Sequence, residues 1–215
     1  TGNASFGYFG GGYTSISTVD RVDYSNDTVA APSKGPLSVG RRALAATGNS
    51  SFGYFGGGTP PHASTVDRID YSNDTATASV RGPLTAVTRY NAASSSRANA
   101  MPLKGPGVLE LPVAFGPFTS LVPQGTDFGY FTGGLSPGSV STVDRLDYSS
   151  DTGTMATKGP LSVARYGAGS ASNGSFGYIA GGAVPNTSIV DRIDYFNDTS
   201  TALQRGPLTS AKSYV

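Results

Sequence analysis

Four copies of one sequence pattern run through this chain of 215 residues, and this repetition constrains the fold more than any single residue does. Each copy reads aromatic-Gly-Tyr-x-x-Gly-Gly, then Val-Asp-Arg followed by an aliphatic residue and Asp-Tyr, and finally Gly-Pro-Leu. The last element begins at Gly35, Gly82, Gly159 and Gly206. These positions are 47, 77 and 47 residues apart, so additional residues separate the second and third copies. A period near 47 residues is typical of propellers and solenoids.

The composition favours an all-β chain. Charged residues make up 13% of the sequence, which is low for a soluble domain, and there are 30 Gly and 14 Pro. Glu110 is the single Glu and only four Lys occur, so the residues that usually cover helix surfaces are scarce. The repeats indicate one domain over residues 1–215, with an insertion at 97–126 between the second and third copies.

The fourth copy predicts four short strands. The segments at 175–182 and 188–195 read as the inner and second strands, and the Gly pair that ends the first of them permits a tight bend. A third strand at 201–204 stops before Gly206-Pro207, because Pro lacks the N–H that a sheet interior needs. Residues 164–172 supply the fourth strand. Four strands in each copy make a propeller blade.

The same residues resemble the kelch repeat. The resemblance rests on the Gly pairs, on the Tyr that follows the Val-Asp-Arg segment, and on an Arg before the next copy. These are Gly11-Gly12, Gly57-Gly58, Gly133-Gly134 and Gly181-Gly182; Tyr24, Tyr71, Tyr148 and Tyr195; and Arg41, Arg89 and Arg165. The last copy has Lys212 at the Arg position, and the chain has no Trp, which kelch blades usually carry. The resemblance implies a kelch-like β-propeller of four blades, in which the insertion can fill part of a fifth.

The near-verbatim Asp-Tyr-Ser-Asn-Asp-Thr and Gly-Pro-Leu segments also resemble kelch-like arrays in predicted tail-associated proteins of marine bacteriophages. This second resemblance implies a structural protein of a virion or cell surface. The chain stops at 210–215, which reads as the start of another first strand. We therefore expect that segment to complete the opening blade by strand exchange and to remove an exposed sheet edge.

The insertion is apolar and contains several Pro. Leu109, Leu111 and Val113 alternate as in a strand. Three interpretations remain open for this segment, namely packing within the fold, contact with a partner, and disorder. If it contacts a partner, Leu111, Val113, Phe115 and Phe118 are the candidate interaction residues.

The acids follow the repeat. Twelve of the 13 Asp occupy three equivalent places in the four copies. Four near-identical copies do not supply the asymmetry that acid–base catalysis needs, so we interpret these acids as structural. The Asp-Tyr-Ser-Asn-Asp segment can be either a turn or a calcium loop, and the missing Gly and closing Glu favour the turn.

An Arg stands two residues before the second Asp of each pattern, so on a strand the two side chains share a face. This predicts structural ion pairs within or between blades, which would fix the register of the sheets. The expected pairs are Arg21 with Asp23, Arg68 with Asp70, Arg145 with Asp147, and Arg192 with Asp194.

Residues for most catalytic centres are missing from the sequence. There is no Cys, His62 is the only His, and no Gly-x-Ser-x-Gly elbow or phosphate-binding loop occurs. We therefore expect no cofactor, no metal and no catalytic residues. The net charge of +1 and the lack of basic runs argue against a nucleic-acid partner, and no apolar run is long enough to insert in a membrane.

These features predict a non-catalytic structural or adhesion protein, extracellular or part of a virion, whose partners are other subunits or copies of itself. Two alternatives remain. One is a module that binds a surface glycan or a host receptor. The other is a polysaccharide hydrolase or lyase that would use a pair of Asp and a Tyr in a central channel.

Overall fold

The computed structural model describes residues 1–96, 127–183 and 185–214. These residues form an all-β fold with one short 3-10 helix, η1, at Tyr71–Asn73. The strands are β1 Phe6–Gly10, β2 Val19–Asp23, β3 Ala45–Gly48, β4 Phe52–Gly56, β5 Val66–Asp70, β6 Ser79–Arg81, β7 Ala92–Ser95, β8 Phe128–Thr132, β9 Leu135–Ser136, β10 Gly138–Ser139, β11 Val143–Asp147, β12 Ala156–Thr157, β13 Gly169–Ser172, β14 Phe176–Ala180, β15 Val190–Asp194 and β16 Leu203–Arg205. The described part contains no helix that is long and apolar enough to span a membrane.

Four antiparallel sheets follow one another along the chain. The first sheet contains β1 and β2 and is extended by isolated bridges from Gly2 to Gly7 and from Asp20 to Ser33. The second sheet has the order β3-β4-β5-β6, the third β7-β8-β11-β12, and the fourth β13-β14-β15-β16. A small hairpin of β9 and β10 lies in the connection between β8 and β11. The four strands predicted for the fourth copy correspond to β13–β16.

Local sequence explains where the strands turn. Before β4, the side-chain oxygen of Asn49 accepts hydrogen bonds from the backbone N–H groups of Ser51 and Phe52, and this closes the turn from β3. After β4, Gly57 and Gly58 both have positive φ, at 74° and 106°, which only Gly adopts without strain. The Gly pair therefore makes the bend that the sequence predicts.

The core lies between consecutive sheets, in three separate hydrophobic clusters. Each cluster joins side chains from one sheet and its outgoing connection with side chains from the next sheet. The first contains Tyr8, Val19, Leu37, Phe55, Ile69 and Ala78. The second contains Ala45, Tyr54, Val66, Leu84, Phe131, Leu146, Tyr148 and Met155. The third contains Ala92, Tyr130, Val143, Leu161, Ile179, Ile193, Tyr195 and Ala202. Each sheet is thus buried only by its neighbours.

The strand at the inner edge differs from the expectation. The Phe-Gly-Tyr strands β4, β8 and β14 lie second in their sheets, and β3, β7 and β13 lie at the edge. These edge strands line one cavity together with residues 1–4. Each of these edge strands follows the Gly-Pro-Leu element of the preceding copy, so the second, third and fourth sheets each draw strands from two copies and consecutive copies are linked.

The C-terminal segment also differs from the strand exchange expected for it. Up to Tyr214, its described residues stay with the fourth sheet. Lys212 bridges to Thr187, and the backbone N–H of Tyr214 donates to the carbonyl of Gly167. The position next to β1 is taken by the N-terminus, where Gly2 bridges to Gly7 and the N–H of Tyr8 donates to the carbonyl of Thr1.

Candidate functional site

The contacts between consecutive sheets, here called junctions, are built around a carboxylate from the later sheet. At the first junction, Asp74 accepts hydrogen bonds from the hydroxyl of Tyr8 at 2.9 Å and from the guanidinium of Arg21 at 2.7 Å. The ammonium of Lys34 lies 3.4 Å from its second oxygen. The same set recurs at the second and third junctions, with Tyr54, Arg68 and Arg81 around Asp151 and with Tyr130, Arg145 and Lys158 around Asp198.

The protonation states at the first junction follow from burial and charge. Burial, and next the bond to Asp74, raise the pKa of Tyr8 to about 12. Burial alone would raise the pKa of Asp74, but the bonds from Tyr8 and Arg21 outweigh it and lower that pKa. At neutral pH the phenol is therefore a protonated donor and the carboxylate an ionised acceptor. Such charge-assisted bonds are stronger than neutral ones.

A second carboxylate accepts hydrogen bonds from the segment that follows Gly-Pro-Leu and leads into the next sheet. Asp67 in β5 accepts from the hydroxyl of Ser38 at 2.7 Å and from the guanidinium of Arg41 at 2.9 Å. Both charged side chains are almost completely buried, and burial lowers the pKa of Arg41. Asp191 in the fourth sheet repeats the arrangement with Ser162 and Arg165.

Arg89 does not occupy the position equivalent to Arg41, although the sequence suggested that it does. Arg41 and Arg165 lie four residues after the Leu of Gly-Pro-Leu, and in the second copy that position is the buried Thr88. The carboxylate of Asp144 accepts instead from the backbone N–H and the hydroxyl of Thr85.

The ion pairs expected within the Asp-Arg-x-Asp segment are replaced by other contacts. Asp23 accepts from the backbone N–H and hydroxyl of Ser25, Asp70 from Ser72 and Asp147 from Ser149, while Asp194 accepts from the N–H of Phe196. The reason is that the second Asp ends its strand, where its side chain closes the following turn. Arg21, Arg68 and Arg145 are left to reach the third Asp of the next copy.

In every copy, the Arg of the Val-Asp-Arg segment also lies over an aromatic ring of its own sheet. The guanidinium carbon is 4.0–4.3 Å from the ring centroid, within the range of cation–π contacts. The pairs are Arg21 with Phe6, Arg68 with Phe52, Arg145 with Phe128, and Arg192 with Phe176. At the three junctions, the ring holds the guanidinium where it reaches the carboxylate of the next sheet.

Each sheet has an upstream face, which contacts the preceding sheet along the chain, and a downstream face, which contacts the following one. The upstream face of the first sheet takes part in no junction. Phe9 is 66% exposed, although the equivalent Phe55, Phe131 and Ile179 are at most 3% exposed. The other positions that face a preceding sheet share this exposure: Asp20, Val22, Tyr24, Asp27 and Ala31 are exposed or half-buried, whereas their counterparts in the third and fourth sheets are buried. Within the described chain, neither Asp20 nor Asp27 has a side-chain partner.

The downstream face of the fourth sheet is open in the same way. Tyr178, Val190 and Leu208 are half-buried, although their counterparts in the first three copies are fully buried. Arg192 forms no ion pair with any described residue. A methyl group built on Gly206 would meet nothing within 4 Å, whereas one on Gly35, Gly82 or Gly159 would overlap the backbone of the next sheet. The fourth sheet therefore carries the Tyr, the Arg and the Gly that donate at the internal junctions, but no described carboxylate lies against them.

A cavity of about 560 Å³ lies between residues 1–4, the edge strands β3, β7 and β13, and Phe9 and Tyr24 of the open upstream face. Its lining is rich in hydroxyl groups, and several of them donate to carbonyls of the adjacent strand. Thr1 donates to Thr47 and Thr47 donates to Ser94, each at 2.9 Å. The described lining carries no Asp, because the acids lie in the junctions and turns. The central pair of Asp that a hydrolase or lyase would use is therefore not found in this lining.

Two further expectations concern chemistry and the insertion. No group of three or more His, Cys, Asp or Glu that could hold a metal ion occurs among residues 1–96, 127–183 and 185–214. The candidate interaction residues Leu111, Val113, Phe115 and Phe118 belong to the insertion at 97–126, which lies entirely outside the described residues.

No model of a known protein family matches this chain, and a search of curated proteins finds no match either.

Proposed function

We propose that this chain is a kelch-like β-propeller segment that acts as a non-catalytic structural component of an extracellular or virion assembly. The observation that carries the proposal is the pair of open faces, one on the first sheet and one on the fourth. Three internal junctions bury the same positions that these two faces leave exposed. Exposed aromatic residues that form a patch are typical of surfaces that bind another protein.

The use of the ionisable groups supports a non-catalytic role. Three carboxylates, those of Asp74, Asp151 and Asp198, are engaged with a Tyr and an Arg in repeated bonds that join the sheets. Repeated contacts of this kind hold a scaffold together, whereas catalysis needs one site in which neighbouring groups differ.

A surface glycan or host receptor is the alternative partner, and the cavity between the edge strands favours it. Its hydroxyl-rich lining offers donors and acceptors of the kind that bind sugars. Tyr13, which is 86% exposed, lies outside that lining but provides an aromatic surface on which a sugar ring can stack.

Hydrogen exchange of backbone amides, measured at low and high protein concentration, separates these roles. Assembly through the open faces predicts that protection rises with concentration in β1, β2 and β15. Glycan binding predicts that protection rises in β3, β7 and β13 when oligosaccharides are added, whatever the protein concentration. If neither concentration nor glycan changes the exchange pattern, or if the oligosaccharides are cleaved, the proposed role is wrong.

A further inference from the structure

The three internal junctions are repeats of one contact. In each, the third Asp of the later sheet accepts from a Tyr hydroxyl at 2.9–3.0 Å and from an Arg at 2.7–2.8 Å. A second Tyr ring of the later sheet stacks on that first Tyr, with centroids 4.8–5.3 Å apart. Backbone bonds repeat as well, because the N–H of the Gly in Gly-Pro-Leu donates to the carbonyl of the third Asp at 2.8 Å each time. A contact made three times with the same atoms defines one relative placement of two sheets.

The open faces carry the two halves of that contact. On the fourth sheet, Tyr178, Arg192 and the N–H of Gly206 occupy the donor positions. On the first sheet, Asp27 occupies the acceptor position, and Tyr24 takes the place of the stacking ring. The charges are complementary.

A second set of groups matches in the same way. Thr209 and Lys212 occupy the positions from which Ser38 and Arg41 reach Asp67, and Asp20 is the acceptor equivalent to Asp67. Lys212 and Asp20 have no side-chain bond to any described residue. These are the groups that a further junction would pair.

The apolar positions correspond, with one difference. In the first junction, the ring of Phe55 packs so closely against Gly10 that a methyl group on this glycine would lie 2.9 Å from a ring carbon and overlap it. The exposed Phe9 is the equivalent ring, but the fourth sheet has Ala180 at the position of Gly10, so the Phe9 ring has to turn away from that methyl group when the two faces meet. Covering Phe9 and Tyr24 with Val190 and Leu208 would remove from water the largest apolar groups of both faces.

We infer that the downstream face of the fourth sheet binds the upstream face of the first sheet of a second copy of this chain. The inference deepens the proposed assembly role and rests on it. Because the two faces differ, the contact is head-to-tail, and successive copies either close a ring or extend as a chain. The pairing places Asp27 of one copy against Tyr178 and Arg192 of the other, and Asp20 against Thr209 and Lys212.

A charge exchange tests this pairing directly. In sedimentation velocity we expect the unaltered chain to form multimers. Asp27→Arg and Arg192→Asp should each weaken association at least about 30-fold, because each brings like charges together at a buried contact. An equimolar mixture of the two variants should associate again, since each retains the face that the other can bind. The double variant should associate by itself.

Two controls keep the result interpretable. Phe196→Ser alters an exposed aromatic residue in a turn of the fourth sheet and should leave association unchanged. Monomeric Asp27→Arg should melt as the unaltered chain does, and Arg192→Asp should melt only slightly lower, because it loses the contact with the Phe176 ring but no ion pair within the described chain.

The outcomes separate the inference from the proposed role. A chain that stays at 21.9 kDa at every soluble concentration overturns the second copy as partner. Multimers that survive both single substitutions overturn the head-to-tail pairing but leave the assembly role standing. Cleavage of polysaccharides by the purified chain would overturn the assembly role itself, whatever the multimers do.

Discussion

The guanidinium of Arg41 donates to the carboxylate of Asp67 at 2.9 Å, and the two side chains are only 2% and 0% exposed. When an ion pair is buried this completely, both partners have to be present. If one is removed, the other remains as an uncompensated charge in a low-dielectric environment, which destabilises the fold. The pair ties the connection after Gly-Pro-Leu to the sheet that follows.

Removing one partner of this pair should therefore be costly. Arg41→Ala leaves Asp67 buried without its cation and should lower the free energy of unfolding by about 3–5 kcal/mol. Lys212→Ala is the matched control, because Lys212 occupies the equivalent position but is exposed and unpaired in the described chain. Urea unfolding of both variants measures the difference. Equal losses in the two would contradict the structural role of the buried pair.

The two Phe residues of the Phe-Gly-Tyr-Phe segments give a second comparison. Phe55→Ala empties a buried position in the first junction and should cost about 3–5 kcal/mol. Phe9→Ala removes an equivalent but exposed ring and should change monomer stability by less than about 0.5 kcal/mol. Thermal unfolding at low protein concentration, where association does not contribute, checks both values. A large loss for Phe9→Ala would mean that the monomer already covers this ring.

The glycines of Gly-Pro-Leu offer a test that involves no charge. A methyl group on Gly82 would overlap the backbone of Gly153, whereas one on Gly206 would have free space. We expect Gly82→Ala to lower the melting temperature sharply and Gly206→Ala to leave it unchanged in the monomer. Gly206→Ala should nevertheless weaken association, because a second copy would bring a backbone against this position. If Gly206→Ala destabilised the monomer as much as Gly82→Ala, the fourth sheet could not be open.

The buried Tyr hydroxyls predict how stability depends on alkaline pH. The pKa of Tyr8 in the folded chain, about 12, exceeds its ordinary value of 10.0. The neutral phenol therefore contributes stability that is complete below pH 10 and is lost as the pH rises from 10 through about 12. Unfolding in urea across this range should show a fall that is smaller in Tyr8→Phe. Parallel curves for the two proteins would contradict a buried, protonated Tyr8.

The repeat made much of the fold predictable. The Phe-Gly-Tyr and Val-Asp-Arg segments became paired strands because they are short runs of aromatic and aliphatic residues bounded by turn residues, and the Gly pairs became bends because Gly adopts positive φ without strain. Both signals are local. They depend on residues close together in the sequence.

The partners of the acids were not predictable in the same way. Sequence spacing suggested Arg68 with Asp70, which share a face of one strand, but Arg68 reaches Asp151 in the next sheet. Contacts between sheets depend on how the copies are stacked, and the spacing within one copy carries no such information. The recurrence of the third Asp in all four copies, outside any strand, was the available signal for a role between copies.

The exposure of the two open faces could not be predicted from the sequence either. Phe9 and Phe55 stand in nearly identical segments, and only the position of their sheets makes one exposed and the other buried. The sequence predicted a ring closed by the chain's own ends, whereas the described ends stay with their own sheets.

Light scattering during size-exclusion chromatography, carried out over a range of concentrations, is the most direct test of complementary open faces. We predict that the unaltered chain elutes at a multiple of 21.9 kDa and that Phe9→Asp elutes at 21.9 kDa itself. A single species at 21.9 kDa for both proteins, independent of concentration, would contradict the account.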